Sequence, residues 1–183
     1  MAEKSFKVTF TLNEKDAAYF RNLYRTARKH ASPEDRKKIV RSVKRLIKKV
    51  RAADTAPRFV LDAISSLEDI LQMIEDEDYA LPRPVVQRAL AALAYFANPQ
   101  DVIPDHVPAL GFLDDAIMIK FVEEEFKHEL WGYRQFRKFR DGAEQRPWSP
   151  VARKRLPERL QAKRNEIRGK IREREISGHR GLW

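Results

Sequence analysis

Four aspartates and a histidine stand close together in the middle of the chain, within Asn98-Pro99-Gln100-Asp101-Val102-Ile103-Pro104-Asp105-His106-Val107-Pro108-Ala109-Leu110-Gly111-Phe112-Leu113-Asp114-Asp115. Hard divalent ions such as Mg²⁺ or Ca²⁺ take several carboxylate and carbonyl oxygens, so Asp101, Asp105, Asp114 and Asp115 form a metal set if the segment folds back on itself. His106 beside Asp105 is then the candidate acid or base of a metal-dependent hydrolase. The simpler account is capping. Asp114 or Asp115 accepts from free amides at a helix start, and Asp101 and Asp105 accept from loop amides. On that account no cofactor is needed.

Other chemistry is thinly represented. Glu125 and His128 have the Glu-x-x-His spacing of carboxylate-bridged di-iron bundles, but those sites need two copies and further glutamates, so a solvated helix face is expected. The loop offers His106 no Ser, Thr or Lys as a nucleophile. No glycine loop suited to phosphate is present. The absence of cysteine excludes disulfides, thiolate zinc sites and a cysteine nucleophile.

The elements that must position this segment are helical. Thr11 or Asn13 is expected to cap a first helix ending near His30, with Ala17, Phe20, Tyr24 and Ala27 as its apolar stripe. Ser32-Pro33-Glu34-Asp35 signals the start of a second helix, reaching about Ala53, whose apolar line is Ile39, Val43, Leu46, Ile47 and Val50. Val60, Ala63, Ile64, Leu67, Ile70, Leu71 and Ile74 give a core helix with Glu75-Asp76-Glu77-Asp78 at its end, where the dipole disfavours anions and predicts fraying or pairing with a basic arm. A buried fourth helix follows Pro82-Arg83-Pro84 and stops at Asn98-Pro99. A fifth is predicted from Leu113 to Arg140 along Ile119, Val122, Phe126, Leu130, Tyr133 and Phe136. Beyond the hinge Arg146-Pro147-Trp148-Ser149-Pro150, a charged helix has only Leu156, Leu160, Ile167 and Ile171 as its apolar line. That line is too thin for a core, so an arm packing laterally or partly mobile is expected. Residues 7–12 alternate in polarity as a short extended lead-in does.

The expected fold is therefore all-α: an irregular bundle of five to six helices with a short N-terminal extended segment. A helical domain over residues 1–145 is followed by a basic helical C-terminal arm over 146–183. Three prolines, Pro99, Pro104 and Pro108, make the central connection stiff, and Gly111 supplies a backbone angle that a Cβ would oppose. Ile103, Val107 and Leu110 anchor it to the core.

This segment resembles the YkvA-like family of uncharacterised bacterial proteins, whose signature runs close to SPxDLIPDxIPxLGxLDD between two helices. Tyr95, Pro99, Asp101, Ile103, Pro104, Asp105, Pro108, Leu110, Gly111, Leu113, Asp114 and Asp115 match it. Asn98, Gln100, Val102 and His106 depart from it. The resemblance covers about residues 85–125 and implies a helical hairpin and, in many relatives, membrane association, with no established activity.

The net charge of +10 conceals a segregation. Residues 1–60 carry 17 basic and 6 acidic side chains, 61–145 carry 8 and 17, and 146–183 carry 12 and 4. Two basic arms thus flank an acidic centre that neutralises part of their charge. Lys37, Arg41, Lys44 and Lys48 in the second helix, with Arg153, Lys154 and Arg155 in the arm, are the candidates for an anionic membrane surface or an acidic protein partner. Trp148 and Trp183 suit interfacial anchoring. Nucleic acid is the weaker partner because no recognition motif accompanies the charge. No apolar run approaches the ~18 residues of a membrane span, and no signal peptide opens the sequence, so a cytoplasmic protein, peripheral at the inner membrane, is expected. These features favour a non-enzymatic interaction module over the metal-dependent enzyme.

Overall fold

The computed structural model describes residues 11, 13–29, 35–53, 56–97, 112–144 and 154–179. Among them are seven α-helices and no strand: α1 (Glu14–Lys29), α2 (Arg36–Arg51), α3 (Arg58–Glu75), α4 (Arg83–Leu93), α5 (Leu113–Glu125), α6 (Lys127–Glu144) and α7 (Leu156–His179), with a 3₁₀ turn, Ala94–Ala97, closing α4. The all-α class is as expected. The count exceeds five to six because the predicted helix 113–140 is two, broken at Phe126 (φ −107°, ψ 18°). The apolar period runs unbroken through the joint: Ile119, Val122, Phe126, Leu130, Tyr133 and Phe136 are all buried. The extended lead-in falls almost wholly outside the described residues.

Local signals account for most of the boundaries. Asn13 caps α1: its Oδ1 accepts from the amides of Lys15 (2.8 Å) and Asp16 (3.0 Å), while the Asp16 carboxylate accepts from the Asn13 amide (3.3 Å). Pro84 sits in the first turn of α4, where a missing amide hydrogen costs nothing. After α3 the chain turns through Ala80 in the left-handed region (φ 47°). The Asp76 carboxylate accepts from the Tyr79 amide (2.9 Å), and its carbonyl accepts from the Ala80 amide (3.0 Å).

α3 lies at the centre, packed on α2, α4, α5 and α6. The seven residues of its predicted stripe are all buried, because a helix with neighbours on several sides must be apolar on several sides. They join Ile39, Val43 and Val50 of α2, Leu93 of α4, Phe96 of the 3₁₀ turn, and Met118, Ile119 and Val122 of α5 in the main core. Each such burial contributes about 1.5–3 kcal/mol. A second cluster of Met73, Tyr79, Tyr133 and Phe136 is completed by Leu160 and Ile167 of α7, which lies along α6. So thin a stripe suffices because α6 offers a notch: a Cβ on Gly132 would lie 2.6 Å from Ile171 Cδ1 and 2.9 Å from Ile167 Cγ2.

Candidate functional site

Residues 98–111 lie outside the described residues, so Asp101, Asp105, His106, Pro99, Pro104, Pro108 and Gly111 are not placed. The signature's end is described. Asp114 and Asp115 form the first turn of α5, where the helix dipole favours carboxylates, and both are buried and hold interaction partners. Among the described residues, no group of three or more His, Asp or Glu side chains is arranged to hold a metal ion.

α4 and α5 meet α1 and α6 in a charge clasp. Glu125, at the end of α5, accepts on one carboxylate oxygen from the Tyr24 hydroxyl (2.6 Å) and from Arg28 Nη1 (2.7 Å), both on α1. Arg88 of α4 lies between its other oxygen (4.0 Å) and Glu129 Oε1 (3.9 Å). Burial, reinforced by the bond to Glu125, pushes the Tyr24 hydroxyl well above the usual phenol range. Burial also raises the Glu129 carboxyl, with Arg88 opposing. The face expected to be solvated is thus partly buried at Glu125, whose carboxylate is committed to Tyr24 and Arg28. Among the described residues, the buried Nδ1 of His128 has no hydrogen-bond partner. Tyr24 and Arg28 stand one turn apart on α1; that spacing was the only sequence signal of the clasp.

A second network closes the acidic end of α3. Arg140 Nη1 reaches Asp76 (2.8 Å) and Asp78 (3.4 Å), and the Tyr133 hydroxyl donates to Asp76 (3.2 Å), its own pKa pushed up to about 12 by burial and by that carboxylate. From α7, Arg164 donates to the Asp78 carbonyl (2.9 Å) and Arg168 to the Ala80 carbonyl. The expected pairing of this acidic end with a basic arm occurs at Glu75, held by Lys44 at 2.9 Å. Asp76 is instead held by Arg140 of α6.

The basic candidates divide accordingly. Lys44 is joined to Glu75 of the same chain. Lys37, Arg41 and Lys48 are exposed and make no ion pair or hydrogen bond with any described residue, and neighbouring Arg45 behaves likewise. At 100° per residue, Lys37, Arg41, Lys44 and Lys48 fall within about 60° of one another, opposite the buried Ile39, Val43 and Val50. Lys154 and Arg155 are exposed, while Arg153, Trp148 and Trp183 lie outside the described residues. No described helix is long and apolar enough to cross a membrane.

Comparison with known proteins bears on the same stretch of the chain. A family model described as "Protein of unknown function (DUF1232)" matches residues 88–121, from Arg88 of the clasp to the middle of α5. The "Uncharacterized membrane protein YkvA" of Bacillus subtilis (strain 168) is 36% identical over 80 residues, 40% of this chain and 74% of that protein. No solved structure matches.

Proposed function

The chain belongs to the YkvA-like family of uncharacterised proteins, and from that premise we propose that it is a non-enzymatic helical module that attaches peripherally to anionic membrane surfaces through the outer face of α2. The observation that carries this reading is that face itself. Lys37, Arg41, Arg45 and Lys48 point away from the core with no described acidic partner. Each basic residue near an anionic leaflet contributes about 1 kcal/mol, so a short row gives reversible, salt-sensitive attachment. The Bacillus subtilis relative is named as a membrane protein, which agrees with a membrane partner. Flotation with vesicles tests it: the wild type rises with anionic and not with neutral lipid, and K37E/R41E/K48E loses roughly 100-fold in affinity. Binding independent of lipid charge would refute the reading. Steeply salt-dependent binding to duplex DNA in preference to vesicles would replace it with nonspecific nucleic-acid binding, and capture by an acidic protein in preference to lipid would replace it with a protein partner.

A second reading is a Mg²⁺ or Ca²⁺ site, as of a metal-dependent hydrolase, on Asp101, Asp105, Asp114 and Asp115; it draws on the two adjacent carboxylates buried at the start of α5. Its signature is a melting temperature raised by either ion in the wild type and not in Asp105→Ala; equal or absent shifts dispose of it.

A further inference from the structure

α1 carries a second row of cations that the fold does not consume. Arg21, Arg25 and Lys29 follow one another at four-residue spacing, all exposed, and none makes an ion pair or hydrogen bond with a described residue. At 100° per residue they share a sector of about 80°. Residues 17–29 contain no acid. The two carboxylates of the first turn stand apart from the row. Glu14 lies about 10 Å down the axis from Arg21, and Asp16, which accepts from the Asn13 amide, sits about 140° or more round the helix from each of the three cations.

Acids on the neighbouring elements are committed elsewhere. α4 and its 3₁₀ turn, which pack against α1, have none. On α5, Glu125 is held by Arg28, Glu124 by Lys127 and Glu123 by Lys120, while Asp114 and Asp115 are buried with partners of their own. Glu34 and Asp35 precede α2, which has nine basic side chains and no acid. The α1 row is therefore an uncompensated positive surface. Tyr19, 51% exposed with its ring edge-on to Phe20, stands at its margin as an aromatic suited to the headgroup level of a bilayer.

This row and the one on α2 look in different directions. α1 packs on α4, its 3₁₀ turn and α5, whereas α2 packs on α4, the same turn and α3, and both bury their inner sides in one core. Helices that flank a third in this way turn their outer sides apart. With α4 between them, the rows are separated by more than the about 8 Å over which salt screens a surface charge, so each acts independently. We propose that the outer face of α1 seats a second anionic bilayer, so that the chain bridges two membranes, one on α2 and one on α1. The inference rests on the membrane reading of α2 and adds to it a second valency. The shorter α1 row is the weaker seat, filled once α2 has carried the chain to a first surface.

The test mixes the full-length chain with vesicles of phosphatidylcholine containing one-third phosphatidylglycerol and follows clustering by light scattering, with flotation in parallel. The wild type is expected to cluster vesicles at intermediate protein and to release them at excess, when every surface is coated and none is left to bridge. R21E/R25E/K29E lowers the clustering rate at least about tenfold yet floats with an affinity within about threefold of wild type. An unchanged melting temperature verifies that this variant folds. Independently, a fluorophore on Asn22→Cys is expected to become shielded from iodide as clusters form and to open again at protein excess. Flotation without clustering, equal clustering by R21E/R25E/K29E, or a position 22 label that stays open in clusters overturns the bridge. Duplex DNA bound through the row in preference to vesicles overturns it too and gives the face to nucleic acid. A wild type that does not float with anionic lipid strikes the membrane reading itself, and the bridge falls with it.

Discussion

α2 carries nine basic side chains and no acidic one, α7 seven basic and four acidic, and the two helices use their cations in opposite directions. On α2 the apolar residues turn inward and Lys37, Arg41, Arg45 and Lys48 are left facing solvent, while Lys44 and Arg51 are joined to acids of α3. On α7 the cations reach back toward the protein. Arg164 and Arg168 donate to carbonyls of the turn after α3, Arg174 lies 4.4 Å from the Trp131 ring centroid, and Lys163 and Lys170 flank Glu166 of their own helix. The lesson is that charge segregation along a sequence measures supply, and geometry decides what is left to act outside. α7 contributes to the fold, whereas α2 has cations to spare.

The comparison breaks most sharply at the α6–α7 seam. Ile167 is 1% exposed, and Ile167→Ala is expected to lower stability by about 2–5 kcal/mol, read by denaturant unfolding. Gly132→Val drives side-chain atoms into Ile167 and Ile171 and is expected to cost about 1–3 kcal/mol or more, with α7 amides losing hydrogen-exchange protection first. If α7 were a loose appendage, neither change would be felt. In contrast, K37E/R41E/K48E should leave stability within about 0.5 kcal/mol, since these side chains support no described contact.

Smaller effects sharpen the picture. Glu129 has a raised carboxyl pKa because it is buried, so the folded protein holds its proton more tightly than the unfolded chain. Its contribution to stability is therefore present below the unfolded carboxylate pKa and is lost as pH rises through the higher folded value. Wild type should lose stability relative to Glu129→Gln as pH climbs out of the acid range, measured by paired urea melts. Ala80→Gly relieves a left-handed backbone angle and should add about 0.5–1 kcal/mol.

The sequence made the helices legible because burial imposes a 3.6-residue period, and the stripes of α3 and of α5 with α6 were read almost residue for residue. The break at Phe126 left no trace in that pattern, since the apolar period crosses it in phase. The reach of α7 was underestimated for a related reason. Four apolar residues make a weak core signal, and what lets them suffice is a missing side chain at Gly132 on another helix. The direction of the cations was illegible as well. Glu75 and Glu68, which hold Lys44 and Arg51, stand 31 and 17 positions downstream, beyond any local rule. Of the signature itself, Asp114 and Asp115 fall where a helix start was expected, and the rest of the acidic loop lies outside the described residues.

Because the chain contains no cysteine, a single one can be placed at will to report which face meets the membrane. Arg45→Cys on the outer face of α2 and Lys170→Cys on the exposed side of α7 would each carry a fluorophore, with quenching by aqueous iodide followed as anionic vesicles are added. The account predicts that the α2 label becomes shielded while the α7 label stays as accessible as before. Shielding at position 170 with position 45 left open would contradict it.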